Sequence, residues 1–122
     1  MTDDAKSQEI LSRHAAGERD FRDLDLDDRV YDFNNSNLRG AIFSGSFILA
    51  SFRNTDLEGA NFANCNLKTC DFSGAKLTDA TFYGSGICAT IFDGAELSGA
   101  NFQEASAYGY VFAKGELPGA RD

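Results

Sequence analysis

The sequence has only four histidine and cysteine side chains that are capable of metal or nucleophilic chemistry. A zinc ion takes four ligands from histidine, cysteine or carboxylate side chains. The chain holds one histidine, His14, and three cysteines, Cys65, Cys70 and Cys88. Their number suffices for one zinc site, so the question is whether the fold brings them together. Because three is an odd number, the cysteines do not make a disulfide framework.

Other signatures of catalysis are absent from the sequence. An enzyme needs a base, a nucleophile or a metal in a cleft, and a phosphate-binding loop needs clustered glycines. Most of the glycines stand instead at five-residue steps, as turn residues would. We therefore expect no enzymatic activity and turn to the elements that position the side chains.

A different regularity runs from residue 52 to residue 102. Every fifth residue is large and apolar, and phenylalanine alternates with leucine or isoleucine. An α-helix repeats every 3.6 residues and a strand every two, so neither element could bury all of these side chains. We predict that the backbone bends once in each pentad, with these side chains in the core: Phe52, Leu57, Phe62, Leu67, Phe72, Leu77, Phe82, Ile87, Phe92, Leu97 and Phe102.

The residues around each large one support the bends. Two residues after it, seven of thirteen positions are glycine, and Asn64 and Asp79 also tolerate the positive φ that a type II turn requires. Two residues before it, all twelve positions from Ala50 to Ala105 are small. A small and a large residue that both face inward let a narrow interior close at native packing density.

This pattern resembles that of the pentapeptide-repeat proteins, whose motif is A-(D/N)-L/F-X-X. The matching stretches include ANF at 60–62, CNL at 65–67, CDF at 70–72 and ANF at 100–102, and the resemblance covers residues 31–119. It implies an all-β fold, a right-handed quadrilateral β-helix of about four to five coils with four pentads per coil. We expect a single domain, with an N-terminal capping helix over residues 1–20 and the β-helix over residues 21–119.

Four sides per coil imply that residues twenty apart stack. Phe52, Phe72, Phe92 and Phe112 would then form one ladder of rings. Cys65 and Cys70 would point inward and Cys88 outward, so the thiols would not converge, and we expect no metal and no cofactor.

Both ends of the repeat are irregular. Ile10, Leu11 and His14 have helical spacing, so a short amphipathic helix is predicted to cover the first coil, with His14 structural and on its exposed or half-buried side. Phe43 and Phe47 are only four apart, which predicts a missing residue at the corner between them. The last coil, with Phe112 and Leu117, is expected to be partly bare, which favours a homodimer through the C-terminal end.

Composition limits the partners. The formal net charge is −8, from 19 acidic and 11 basic residues, which argues against direct nucleic-acid binding. Mean hydropathy is −0.31, and no apolar run could span a membrane. The N-terminus has no signal-peptide core, so we expect a cytoplasmic protein.

The remaining candidate function lies on the surface. We expect a non-enzymatic module that presents rigid walls to an unknown protein partner. Outward positions include four acidic residues on the wall of Leu57, Leu77 and Leu97, two aliphatic residues one coil apart on the wall of Phe72, and two tyrosines on the other walls. The candidate partner residues are therefore Asp56, Glu58, Glu96, Glu116, Ile91, Val111, Tyr83 and Tyr108.

The alternative is a DNA-mimic inhibitor or modulator of a DNA-binding protein such as DNA gyrase. The resemblance implies it, because the quinolone-resistance members of the family bind gyrase through an acidic rod of DNA-like width. The charge is distributed unevenly for this role, with a net −5 in residues 1–32 and −3 in residues 33–122.

Overall fold

The computed structural model describes residues 4–119. One helix and four short strands are formed: α1 (Ala5–Ala15), β1 (Asp25–Asp32), β2 (Phe47–Ser51), β3 (Ser106–Ala107) and β4 (Tyr110–Val111). β1 pairs with β2 in parallel, and β3 pairs with β4 antiparallel. The rest of the described backbone consists of turns and isolated bridges, with no closed sheet. Within residues 4–119 no helix is long and apolar enough to cross a membrane.

The isolated bridges show that the chain is a β-helix solenoid. They are parallel and, from Asn37 onwards, join residues 19 or 20 apart along four ladders, such as Asp56 to Lys76 to Glu96. Between the bridges, the N–H group three residues after each large residue donates to that residue's carbonyl; Ala60 N and Leu57 O are 2.9 Å apart. The third residue of that turn, Gly59, has a φ of +70°. This is the type II geometry that the spacing predicts.

The interior is a continuous stack of rings and aliphatic side chains. The Phe72 ring lies parallel to Phe52 at 5.0 Å and to Phe92 at 5.4 Å, and edge-on to Phe62 at 5.4 Å. Of the eleven predicted core residues, nine are buried, and only Phe92 and Leu97 are half-buried. The small residues from Ala50 to Ser85 are buried beside them.

The prediction of a missing residue between Phe43 and Phe47, which takes Phe47 as the next inward residue, is wrong. Ile48 is buried at that position, while the Phe47 side chain is 53% exposed. The missing residue therefore lies between Ile48 and Phe52, where β2 runs through a corner without a turn. In β1 the same corner is expanded, because Leu26 pairs with Ile48 and Tyr31 with Ala50, with four residues between Leu26 and Tyr31.

The first coil is closed by α1. Ser7, Ile10 and His14 lie on one side of α1 and are buried, with the helical spacing that a coil-facing stripe requires. The prediction that His14 lies on the exposed or half-buried side of the helix is therefore wrong. Its Nε2 atom is 2.8 Å from the Arg39 carbonyl oxygen. Below the helix, the Phe21 ring stacks on Phe43 at 5.8 Å.

At the other end the chain turns back on itself. Tyr108 and Gly109, the two residues between β3 and β4, both have positive φ, at 52° and 80°. This is typical of a two-residue hairpin turn. Phe112 is consequently buried against Phe102, with ring centroids 6.3 Å apart, and the predicted stacking of Phe112 on Phe92 is wrong. Because no further coil within residues 4–119 covers Phe92, this part of the interior is half-open.

Candidate interaction surfaces

One side of the rod carries the most exposed aromatic side chains of the repeat. We call it the Phe47 wall; its outward ladder runs through Asp25, Phe47, Asn66, Gly86 and Ser106. The pentad phase turns the Phe47 side chain outward. Tyr108, at the end of the same wall, is 79% exposed.

Two hollows flank the Phe47 side chain. The first, of about 220 Å³, is lined by residues that include Asp27, Leu49 and Lys68. The second, of about 400 Å³, lies over Gly86 and is also lined by Phe47. Gly86 has no positive φ, and a Cβ atom there would meet nothing within 4 Å. The fold therefore does not require glycine at this position, and the absence of a side chain leaves the hollow deeper.

The three thiols do not form a metal site. Cys65 and Cys70 are buried and donate to the carbonyl oxygens of Phe43 and Ile48, each at 3.1 Å. Burial raises the pKa of the Cys65 thiol to about 11 and that of Cys70 to about 12. Cys88 is half-exposed on the Phe47 wall, and its sulfur accepts a hydrogen bond from the N–H group of Tyr108. Among residues 4–119 no three His, Cys, Asp or Glu side chains are grouped to hold a metal ion.

On the wall of Leu57, Leu77 and Leu97, which we call the Leu77 wall, two carboxylates are paired with cations of the same wall. The Glu58 carboxylate lies 3.0 Å from the Arg39 guanidinium and 3.0 Å from the Lys76 ammonium. Asp56 lies 3.8 Å from Arg39. The hydrogen bond from Lys76 lowers the pKa of Glu58, so this carboxylate is ionised and paired. Glu96 follows Lys76 on the same ladder.

Two predicted partner residues lie elsewhere than expected, because of the C-terminal reversal. Glu116 is not on the Leu77 wall; its carboxylate accepts hydrogen bonds from the Tyr110 hydroxyl and from the Ala113 N–H group. Val111 pairs with Ser106 in the hairpin and so does not stack on Ile91. Ile91 itself is exposed.

Tyr83 also is exposed, on the wall of the Thr81 and Asn101 ladder. The structure thus places the eight predicted partner residues on several separate surfaces. Sequence reasoning missed Phe47, although a signal for it exists. Counting five from Phe43 gives Ile48, and Ser46, two residues before it, is small, as the motif requires.

The repeat itself identifies the family. The sequence model for pentapeptide repeats matches residues 50–85 with eight copies. The chain belongs to the pentapeptide repeat family. Among proteins with curated functions, none matches this sequence.

Solved pentapeptide-repeat structures resemble the chain to different extents. QnrB1, a plasmid-mediated fluoroquinolone resistance protein, is 20% identical with a TM-score of 0.55, over 69% of this chain and 56% of QnrB1. The chain thus spans little more than half of QnrB1, and the likeness shows the solenoid fold alone.

Two further structures are from photosynthetic organisms. A protein from the Arabidopsis thaliana thylakoid lumen is 31% identical over 72% of this chain and 68% of that protein, with a TM-score of 0.48. A protein from Nostoc is 26% identical over 93% of this chain and 87% of that protein, with a TM-score of 0.46.

Proposed function

We propose that this protein is a non-enzymatic interaction module of the cytoplasm. It presents a rigid wall of a right-handed, four-sided β-helix to a protein partner. The observation that carries the proposal is the exposed Phe47 side chain between two hollows on the Phe47 wall. A large exposed aromatic residue between concave surfaces is typical of protein-binding sites.

The rod is suited to this role because its walls are stiff. Each coil is held to the next by backbone hydrogen bonds at every pentad, such as Leu77 N to Glu96 O at 2.8 Å. The buried rings lie in contact along the whole axis, so side chains on one wall keep fixed positions. Because the wall is already ordered, the module loses little conformational entropy when a partner binds to it.

Site-specific photo-crosslinking tests the proposal. A benzophenone amino acid replaces Phe47 in one variant and Tyr83, an exposed aromatic residue on another wall, in the matched control. Each variant is irradiated in lysate from the source organism. We expect a discrete crosslinked protein from position 47 that is absent from position 83. Equal band patterns from both positions, or none from position 47, would refute the proposal.

The second candidate function is that of a DNA-mimic modulator of DNA gyrase. The net charge of −8 and the fold shared with QnrB1 favour it. The pairing of Asp56 and Glu58 with Arg39 and Lys76 weighs against it, because a mimic needs uncompensated charge along its walls. A gyrase supercoiling assay decides: no effect of excess protein rejects mimicry.

We also propose a homodimer through the open C-terminal end. Phe92 and Leu97 are half-buried there. Leu77 N and Ala75 O are bonded to the next coil, whereas Leu97 N and Ala95 O have no backbone partner within residues 4–119. An edge with both donors and acceptors can pair with an identical edge across a two-fold axis. Sedimentation should give a dimer that Leu97→Glu dissociates; a monomer at high concentration would reject it.

A further inference from the structure

Two carboxylates at the start of the Phe47 wall face each other. Asp25 and Asp27 flank the buried Leu26 in β1, so both side chains point outward on the same side of the strand. A hydrogen bond between the two carboxyl groups, together with their mutual repulsion, raises the pKa of Asp25.

Phe47 is the direct neighbour of this carboxylate pair. Asp25 and Phe47 are register partners on adjacent coils, and the ring is more than half exposed. A cation is attracted both by the face of an aromatic ring and by a carboxylate beside it. The ring and the two carboxylates therefore favour the same kind of group.

The smaller hollow beside Phe47 has a size and lining that suit a long basic side chain. Its volume is about 220 Å³, and its lining includes Phe47 and Leu49 as apolar surface, Asp27 and Lys68. The apolar part suits the methylene stem of a long basic side chain, which packs along apolar surface while its charged end stays polar. Lys68 repels a cation and so directs the charged end of a bound side chain towards Asp27.

The charge of the surrounding residues also favours a positively charged partner, and it acts over a longer distance than the contacts in the hollow. Residues 20–32 contain six aspartates and two arginines, a net charge of −4. Such a surface attracts a basic polypeptide and repels nucleic acid.

We infer that the hollow between Phe47 and Asp27 binds a lysine or arginine side chain from a basic segment of a protein partner. This inference rests on the proposed function as an interaction module and adds the partner's chemistry. The Phe47 ring and Leu49 hold the stem of the side chain, and Asp25 and Asp27 bind its charged end.

A peptide titration tests the inference directly. The probe is a synthetic dodecapeptide that repeats Lys-Ser-Leu, and the matched peptide repeats Glu-Ser-Leu. Binding to the ¹⁵N-labelled protein is followed by chemical-shift changes near physiological salt. We expect the lysine peptide alone to bind, with changes confined to residues 25–32, 47–49 and 66–69.

Variants separate this site from general attraction to an acidic protein. Asp25→Asn combined with Asp27→Asn, or Phe47→Ser, should each weaken binding about two- to fivefold, because exposed ion pairs and ring contacts are individually modest. Lys68→Gln should strengthen it about twofold for the same reason. Asp93→Asn removes an exposed carboxylate from another wall and should have no effect.

Several results would overturn the inference. These are no binding of the lysine peptide, equal binding of the glutamate peptide, shifts spread over all four walls, or equal weakening by Asp93→Asn. The crosslinking experiment at position 47 keeps the two proposals distinguishable. A specific crosslinked partner without lysine-peptide binding would leave the interaction module standing and reject only the basic partner.

Discussion

The turn glycines differ in which atoms of the neighbouring coil lie close to them. This difference predicts that replacing glycine by alanine lowers the stability by unequal amounts at different turns. Gly59 and Gly74 have nearly the same φ, +70° and +68°. An alanine at either position must adopt a left-handed conformation, which costs about 1–2 kcal/mol. A Cβ atom at Gly59 would meet nothing within 4 Å, whereas one at Gly74 would lie 2.2 Å from Oδ1 of Asn54.

The clash falls on a side chain, because the nearest backbone atom, Asn54 N, would be 3.9 Å from the new Cβ. The Asn54 side chain must therefore leave its rotamer, at an added cost of about 0.5–1.5 kcal/mol. We expect Gly59→Ala to lower the free energy of unfolding by about 1–2 kcal/mol and Gly74→Ala by about 1 kcal/mol more.

Chemical denaturation followed by far-ultraviolet circular dichroism measures both variants. The rescue variant combines Gly74→Ala with Asn54→Gly, since glycine also accepts the positive φ of residue 54. It should restore stability to about the level of Gly59→Ala. Equal losses for Gly59→Ala and Gly74→Ala, or a failed rescue, would refute the reasoning.

Four other substitutions and measurements follow from the structure. Phe72→Ala should cost about 3–5 kcal/mol of stability through the cavity it leaves between stacked rings; a loss below about 1.5 kcal/mol in denaturation would contradict the packed interior. Ser7→Ala should stabilise the protein by about 1 kcal/mol, because the buried Ser7 hydroxyl has no partner among the described residues; a lowered melting temperature would contradict this. Iodoacetamide at pH 8 should modify Cys88 and leave Cys65 unmodified in the native protein, because burial raises the pKa of Cys65 to about 11; mass spectrometry of the peptides shows which thiol reacted. The pKa of Glu58 is lowered in the folded state, so the Glu58 carboxylate stabilises the protein at pH values above its usual pKa of 4.5, and this stabilisation is lost as the pH falls through the folded-state pKa. Glu58→Gln should therefore flatten the acid side of the plot of stability against pH. An unchanged plot would show that the pair with Lys76 contributes nothing.

The pentad pattern predicted the coil because the information is local. A large residue, a small one two positions before it and a turn residue two positions after it define each corner within five residues. Phe62, Ala60 and Asn64 show this, and the structure places all three as the motif requires. The same local pattern identified the buried Cys65 and the outward-pointing, half-exposed Cys88.

Contacts between coils depend on the count of residues around a whole turn. Bridges join residues 19 apart where the intervening chain includes the short corner before Phe52, and 20 apart beyond it. A single misplaced deletion therefore changes which residues stack and which side of the chain faces outward. This is why the phase of Phe47 was wrong, and with it the most prominent surface feature.

By itself, then, the sequence determined a bent, pentad-based coil with an aromatic and aliphatic interior, because each corner is specified by its own five residues. Only the tertiary structure decided that Phe112 folds back over Phe102, that Arg39 neutralises Glu58, and that His14 lies on the buried face of the cap helix. Each of these contacts joins residues that are not neighbours within a pentad. They form only once the pitch of the coil and the two ends of the rod have fixed which side chains meet.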